Sequence, residues 1–381
     1  MIWKITRLSI ATVFILYLSK NVLNGVLKDY IYYDLETNYL HWSSKLPAIS
    51  VCLRFNHNRN SFDNDSRNFL RNLLNPSKLH CRNCDRGRKL IQEMNTSVPN
   101  LVEQLITPCE TLLTNCMWND KRFRCCSRFR KLVTRRGICY SANSELIGGT
   151  EVFEVSFFAK EADIKFEVTE PVKVYMHEVR DVSPRGGFLL NLGQKLNVLF
   201  KSRETIAELE TKSIDFELRN CVVQGERWKG VYSRSICKNR CQAKAQTLVC
   251  NCSHHLLRQD LSQACDLDGL QCLDDNSRKI KSEMSSFCDC GEACDEIMPK
   301  IISKKLSRYK GHNGKANFVL SFPPTERLIM KSKTNNLERL VALACISRWL
   351  TNLSLMDLFR LFMDNLFKRK ERSFEDKSIL Y

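Results

Sequence analysis

The chain has 381 residues, with 59 Lys and Arg against 42 Asp and Glu, a formal charge of +17, and 19 cysteines. Its hydrophobic share of 43% supports a buried core and excludes a globally disordered chain, and its 14 glycines and 9 prolines are too few for a collagen-like or low-complexity protein. Cysteine at this density points away from the reducing cytosol, unless the thiols hold metal, and toward the secretory lumen or the cell exterior.

In chain order, Lys4 and Arg7 flank the start of an uncharged run, Leu8–Ser19, followed by Lys20 and a second apolar stretch, Val22–Leu27. Basic residues ahead of a short apolar core read either as a cleaved signal peptide or as an uncleaved anchor. No small-x-small cleavage site follows Tyr17. As an anchor, residues 5–27 form a first transmembrane helix, with Arg7 and Lys20 snorkelling to opposite headgroup layers and residues 1–4 as a cytoplasmic tail.

Residues 28–337 then form an extracellular domain that holds every cysteine except Cys345. Helical patterns cover Phe69–Leu74, Leu101–Leu113 and Gln242–Val249. Between them, residues 149–220 read as a central β region. Glu151–Phe158, Asp163–Val168 and Pro171–His177 alternate or run apolar with β-branched and aromatic residues, and Pro184–Gly187 is a turn. Gln194–Phe200 and Ser213–Leu218 are further expected strands. Asn64 and Asn95 open candidate N-glycosylation sequons; Asn251 matches too, but sits between two cysteines, and Asn352 matches inside an apolar segment.

The cysteine spacing is the most informative pattern. Cys237-x3-Cys241 and Cys250-x-Cys252 are followed by Cys265, Cys272 and then Cys288-x-Cys290-x3-Cys294. A Cys-x3-Cys pair lies on one helical face a turn apart, and Cys-x-Cys on a strand points both side chains to one face. Two such units form a ladder of crosslinks, a stapled stalk over residues 221–300. Zinc is the competing reading for clustered cysteines, but its usual pairs are C-x2-4-C, and Cys-x-Cys departs from that. Cys81-x2-Cys84 comes nearest to a zinc or redox pair, yet lies in a Lys/Arg-rich loop with no βαβ context, where a local disulfide is the better reading.

A second apolar region spans Leu337–Phe367, with the second transmembrane helix placed at 338–367 and a basic cytoplasmic tail at 368–381. Basic residues beside both segments put both tails in the cytoplasm. Arg348, Asp357 and Arg360 each cost about 2.5–3.5 kcal/mol at mid-membrane, so insertion of this segment alone is marginal. Asp357 and Arg360 share a helical face and can pair, and charges in a span face a bundle interior or a water path. An amphipathic surface helix that never crosses is the other reading. The fold class is therefore α+β, with two transmembrane helices flanking a large disulfide-rich, β-centred ectodomain with peripheral helices.

No G-x-x-x-x-G-K-[ST], H-E-x-x-H or G-x-S-x-G motif is present, so no enzyme is indicated. His254 and His255, beside Cys252, read as an exposed helix or loop ahead of metal ligands. The runs Lys121–Arg124 and Arg128–Lys131 interleave aromatics as nucleic-acid sites do. In a cysteine-rich exported chain they read as a solvated extracellular face, with no nucleic-acid partner.

The motifs together resemble a known family. Leu46-Pro47-Ala48-Ile49-Ser50-Val51-Cys52 after a first span resembles the post-membrane signature of the degenerin/epithelial sodium channel family. Tyr232-Ser233-x3-Cys237-x3-Cys241-x8-Cys250-x-Cys252 is similar to its thumb signature, and Cys288-x-Cys290-x3-Cys294 to the end of it. Leu113-x2-Cys116-Met117-Trp118, Gly137-Ile138-Cys139-Tyr140 and Val168–His177 resemble the insect pickpocket branch. The resemblance covers roughly residues 3 to 367. It implies a trimeric, amiloride-sensitive, sodium-conducting channel of the plasma membrane, gated by ligand or force. Its implied partners are the lipid bilayer, homologous subunits, permeant sodium ions and an extracellular ligand of unassigned identity, with no other cofactor.

The resemblance also implies disulfides Cys52–Cys139, Cys221–Cys294, Cys237–Cys290, Cys241–Cys288, Cys250–Cys272 and Cys252–Cys265, and Cys116 with Cys125 or Cys126. Cys81, Cys84, Cys109 and the remaining one of Cys125 and Cys126 form an even set without assigned partners. The family's His-Gly gating element, ahead of the first span, is expected to be missing. Its Gly-x-Ser selectivity constriction falls on Asn352, Leu353 and Ser354, and the small residues before it on positions such as Ala344, Cys345 and Arg348. The acidic residue past the serine falls on Arg360, where a ring of arginines would oppose cations unless Asp357 neutralises it. The expectation is a subunit that conducts poorly alone and works in a heterotrimer. The alternative is a non-conducting, secreted or single-anchor cysteine-rich binding or regulatory protein derived from that family.

Overall fold

The computed structural model describes residues 31–53, 63–73, 84–148, 152–158, 162–227, 230–257 and 263–332. The expected spans at 5–27 and 338–367, and the tails beyond them, lie outside these residues. Among the described residues no helix is long and apolar enough to cross a membrane.

The chain begins with β1 (Ile31–Glu36), β2 (Ser43–Lys45) and β3 (Ala48–Leu53), then helices α1 (Asn64–Leu73), α2 (Cys84–Glu93), α3 (Val98–Gln104) and α4 (Cys109–Leu112). Next come β4 (Leu113–Trp118), β5 (Lys121–Arg122), α5 (Cys125–Arg128), β6 (Arg130–Thr134), β7 (Gly137–Ala142) and β8 (Glu154–Ser156). They are followed by β9 (Asp163–Val168), β10 (Val172–His177), β11 (Phe188–Leu190), β12 (Gln194–Ala207), α6 (Leu209–Lys212), α7 (Phe216–Arg219) and β13 (Cys221–Val222). Last are α8 (Arg234–Cys250), α9 (Leu267–Asp275), α10 (Ser277–Phe287), β14 (Glu292–Ala293), β15 (Glu296–Arg308), β16 (Gly314–Leu320) and β17 (Arg327–Ser332).

The chain divides into two compact units, one of residues 34–208 and 220–330, the other of residues 1–33, 209–219 and 331–381. In the second unit, Ser213–Leu218 was expected as a strand from the alternation of Ile214, Phe216 and Leu218. The structure forms short helical turns there instead. Ser213 Oγ donates to the Glu210 carbonyl at 2.7 Å, and the amides of Leu218 and Arg219 bond the Asp215 carbonyl. Local hydrogen bonds of this kind compete with a ladder. The buried Arg219 guanidinium closes both turns by donating to the carbonyls of Lys212 and Ile214.

In the first unit the larger sheet runs β1-β17-β12-β16-β9-β4-β5, with β15 added along β12. The long β12 pairs antiparallel with β15 over Gln194–Thr205 and parallel with β16 over Lys195–Phe200. A second sheet orders β11-β10-β3-β7-β6. Their inward residues make one core: Leu196, Val198 and Phe200 of β12, Phe166 of β9 and Phe318 of β16 meet Ile49, Val51, Val172, Val174 and Leu190. Phe166 and Phe318 stack with centroids 6.2 Å apart. Each such side chain contributes roughly 1.5–3 kcal/mol by leaving water.

The sheets draw on strands beyond 149–220: strands on both sides of it, from Ala48–Leu53 to Arg327–Ser332, complete them, and among the described residues of the expected strand Glu151–Phe158 it is Glu154–Ser156 that forms one, paired with Ser43–Lys45. A separate cluster forms from helices: Phe69, Leu70, Leu90, Leu101, Val102, Leu270 and Ile280 pack there. A Cβ at Gly87 would run into the Phe69 ring, so glycine lets α2 close onto α1. The helical pattern Leu101–Leu113 is broken in two because Pro108 disfavours helix in the residue before it; α3 starts on Ser97, whose side chain accepts from the Asn100 amide.

Candidate functional site: a disulfide-stapled helix and the cleft at its base

Helix α8 starts at Ser233, whose Oγ accepts from the Ile236 amide and donates to the Arg180 carbonyl at 2.8 Å. It ends where Asn251 turns left-handed at φ 56°, its amide bonding the Thr247 carbonyl. The residues it buries mix Ile236 and Ala245 with Asn239, Gln242 and Gln246, so it lacks an apolar stripe to seat it. Sulfur fixes it instead. Cys237 and Cys241, a turn apart, are bonded to Cys290 and Cys288, and at the far end Cys250 and Cys252 are bonded to Cys272 and Cys265.

The base of the stalk is closed by Cys221–Cys294, beside the short parallel pair of β13 and β14. Tyr232, 1% exposed, donates its hydroxyl to the Gly291 carbonyl at 2.7 Å, while Gln224 clamps its backbone from both sides. Arg234 and Glu292 form an ion pair across the same junction.

Elsewhere Cys52–Cys139 joins positions directly opposite on β3 and β7. Cys116 is bonded to Cys125, and Cys109 to Cys126. Every cysteine among the described residues, Cys84 included, is disulfide-bonded. The sulfurs of Cys237, Cys241 and Cys290 converge within 4.8 Å, but each is spent in a disulfide and no thiolate is left to ligate zinc. The expected strand setting for Cys-x-Cys is not what occurs. Cys250 is the last residue of α8, and Cys288 and Cys290 follow α10 outside any strand. Cys237 and Cys241 are tied to the loop after α10, Cys250 is tied to Cys272 inside α9, and Cys252 joins Cys265 between the two helices.

A cleft of about 400 Å³ opens at the base of α8, with His177, Glu178, Ser233, Arg234, Asn239 and Glu296 on its walls. Beside it Arg180 donates from Nε to Glu145 at 2.6 Å and from Nη1 to the Asp295 carbonyl at 2.8 Å; Glu145 also receives Lys45 at 2.9 Å. This chain of charges ties β2, the segment after β7, the segment after β10 and the start of β15 together. Burial pushes the Glu178 carboxyl up to about 7 against the nearby charge of Arg180. One of its oxygens, Oε1, is buried without a hydrogen-bond partner. His177 is buried as well, its Nδ1 at 2.8 Å from the Glu178 carbonyl and its Nε2 at 2.7 Å from Ser50 Oγ. A carbonyl can only accept, so Nδ1 carries the proton. Burial holds the ring below the usual histidine range.

His254 and His255 correct the expectation of an exposed loop. His254 is 3% exposed, its ring stacked on His255 at 4.3 Å and its Nδ1 accepting from the Leu256 amide. Burial pushes His255 down to about 4. The neighbouring Cys252, Leu256 and Leu257, all buried, carry the pair inward. Asn64 opens α1, where Ser66 of its sequon is buried and bonds Asp63; Asn95 stands exposed in a turn at φ 44°. Asn352, Leu353, Ser354, Asp357 and Arg360 lie outside the described residues. The charged cluster of Lys45, Glu145 and Arg180 had no signal in the sequence, since its members are scattered and each looks like an ordinary surface charge.

The amiloride-sensitive sodium channel family model matches residues 1–340. Among curated proteins, the chain is similar to the sodium channel protein Nach of Drosophila ananassae, 23% identical over 233 residues, which cover 55% of this chain and 44% of that protein. It is also similar to the sodium channel protein Nach of Drosophila melanogaster, 22% identical over 265 residues, covering 59% of this chain and 50% of the relative. The chain thus spans about half the length of the curated relatives it matches.

Proposed function

The chain belongs to the amiloride-sensitive sodium channel family, and we propose that it is a subunit of an amiloride-sensitive, sodium-conducting channel of the plasma membrane, gated by ligand or force and assembled as a trimer with homologous subunits of the pickpocket branch. In this reading residues 5–27 and 338–367 cross the bilayer, residues 28–337 stand outside, and residues 1–4 and 368–381 are cytoplasmic. Sodium is the permeant ion.

The observation that supports this reading best is the stapled helix. Cys237–Cys290 and Cys241–Cys288 make α8 and the loop after α10 one covalent body, and that loop leads directly into β14 and β15. A movement at the far end of α8 would then reach the base without being absorbed by side-chain slippage. In the pore, Asn352, Leu353 and Ser354 line the constriction, and Arg360 opposes cations unless Asp357 or acidic residues of partner subunits neutralise it. The subunit therefore contributes to a heterotrimer and passes little current alone.

Whole-cell recording tests this. Expressed alone, the chain gives little sodium current, and Arg360→Glu increases it; with a related subunit it gives an amiloride-blocked sodium current distinct from that of the partner alone. Robust sodium current from the chain alone, unchanged by Arg360→Glu, overturns the proposal.

A further inference from the structure

The outward face of the larger sheet carries an unbalanced row of cations. Burial alternates along β12, with Leu196, Val198 and Phe200 inward and Lys195, Lys201 and Arg203 exposed on the other face. The register sets Lys300 of β15 directly opposite Lys201 and Lys305 opposite Asn197, while on the other side Lys315 of β16 lies beside Lys195. Like charges directly opposite one another destabilise a sheet, so the fold holds these pairs at a cost.

Acidic neighbours do not cancel the row. Glu167 is engaged with Lys315 at 2.9 Å and with Asn115 and Asn313; Asp120 and Asp163 are engaged with Lys165. Among the described residues, Lys195, Lys201, Arg203, Lys300 and Lys305 make no ion pair. At the lower end of the row a cleft of about 330 Å³ is lined by Lys201, Ser202, Arg203, Lys300 and Arg327, with Glu326 as its lining carboxylate. Arg327 is held in place by Glu36 at 2.5 Å and by the Trp42 ring 4.2 Å away. Lys201 lies over the Phe322 ring at 5.5 Å.

We propose that this face binds a sulfated extracellular polysaccharide, seating a sulfate group in the cleft between Lys201, Arg203 and Lys300 and following the row to Lys195 and Lys305. Lys195 and Arg203 lie eight steps apart along the strand, about 26 Å at the usual rise, which suits an extended polyanion better than a single small ion. Lysine heads act as point charges without the fork geometry of arginine, so they suit recognition by charge density. The disulfides place the domain in an oxidising compartment, where the polyanion it meets is a glycan in preference to a nucleic acid. The inference stands apart from the channel reading and survives if the chain passes no current.

The test is binding of the full-length chain, in detergent, to immobilised heparin. Retention is expected at about 0.15 M NaCl with release as salt rises. Lys201→Gln with Arg203→Gln and Lys300→Gln weakens binding at least about tenfold, while the equal-charge control Lys121→Gln with Arg122→Gln and Arg124→Gln, on and beside the exposed β5, changes it by less than about twofold. Acetylation footprinting of the unmodified chain needs no variant to fold: heparin should shield Lys201 and Lys300 and leave Lys121 reactive. Absence of retention, equal loss in the two variants, unshielded Lys201 and Lys300, or tighter binding of vesicles of anionic lipid through the same residues would overturn the proposal.

Discussion

The sheet core and helix α8 are held by different forces. In the core, Phe166, Phe318, Val198 and Phe200 are almost wholly buried and interlock across two sheets. Helix α8 turns Asn239, Gln242 and Gln246 inward, with Asn239 Oδ1, Gln242 Oε1 and Gln246 Nε2 buried without hydrogen-bond partners, and relies on three disulfides along its length and a fourth just past its end. Packing sets the sheets, and covalent bonds set the lever docked on them.

The largest effect should come from breaking the packed side. Phe318→Ala leaves a cavity beside Phe166 and costs about 3–5 kcal/mol in chemical denaturation, because the surrounding sheets cannot collapse into it. Removing a staple, by Cys237→Ser with Cys290→Ser, costs about 2–4 kcal/mol. Hydrogen exchange sharpens the contrast: amides at the base of α8 lose protection in that variant, and those of β9 and β16 keep it.

The cleft and the helical cluster should respond to pH in opposite directions. Glu178 is raised from 4.5 to about 7 in the folded chain, so its contribution is fully present below 4.5 and is lost as pH rises through 7. Glu178→Gln should therefore raise stability at alkaline pH by up to about 3 kcal/mol and leave it unchanged at acid pH. His255 is lowered from 6.5 to about 4, so its contribution is present above 6.5 and is lost as pH falls through 4. His255→Gln should flatten the acid limb of a stability–pH profile and leave the alkaline limb as it was. The smallest effect is at the helix cap: Ser233→Ala should cost about 1 kcal/mol in a thermal or denaturant melt.

How far the sequence shows these two regions depends on which force is at work. Alternation made Asp163–Val168 and Val172–His177 readable, because one face of each meets the core and neighbouring strands cover the rest. Strand β15 escaped, since Glu296–Arg308 sits along one side of β12 with most of its residues exposed and no reason to alternate. The spacing of Cys237 and Cys241 places two thiols on one helical face, where the structure bonds them. Lys45, Glu145 and Arg180 meet only because β2 and the segments after β7 and β10 are folded together, and no local pattern records that. His254 and His255 look polar in sequence, yet neighbours bury the first and half-bury the second.

One measurement bears on the whole account: non-reducing peptide mapping of the full chain captured from the surface of intact cells. The account predicts surface capture with Cys237 bonded to Cys290 and Cys241 bonded to Cys288. Reduced thiols at these positions, crossed pairing within the four, or a chain absent from the cell surface would contradict it.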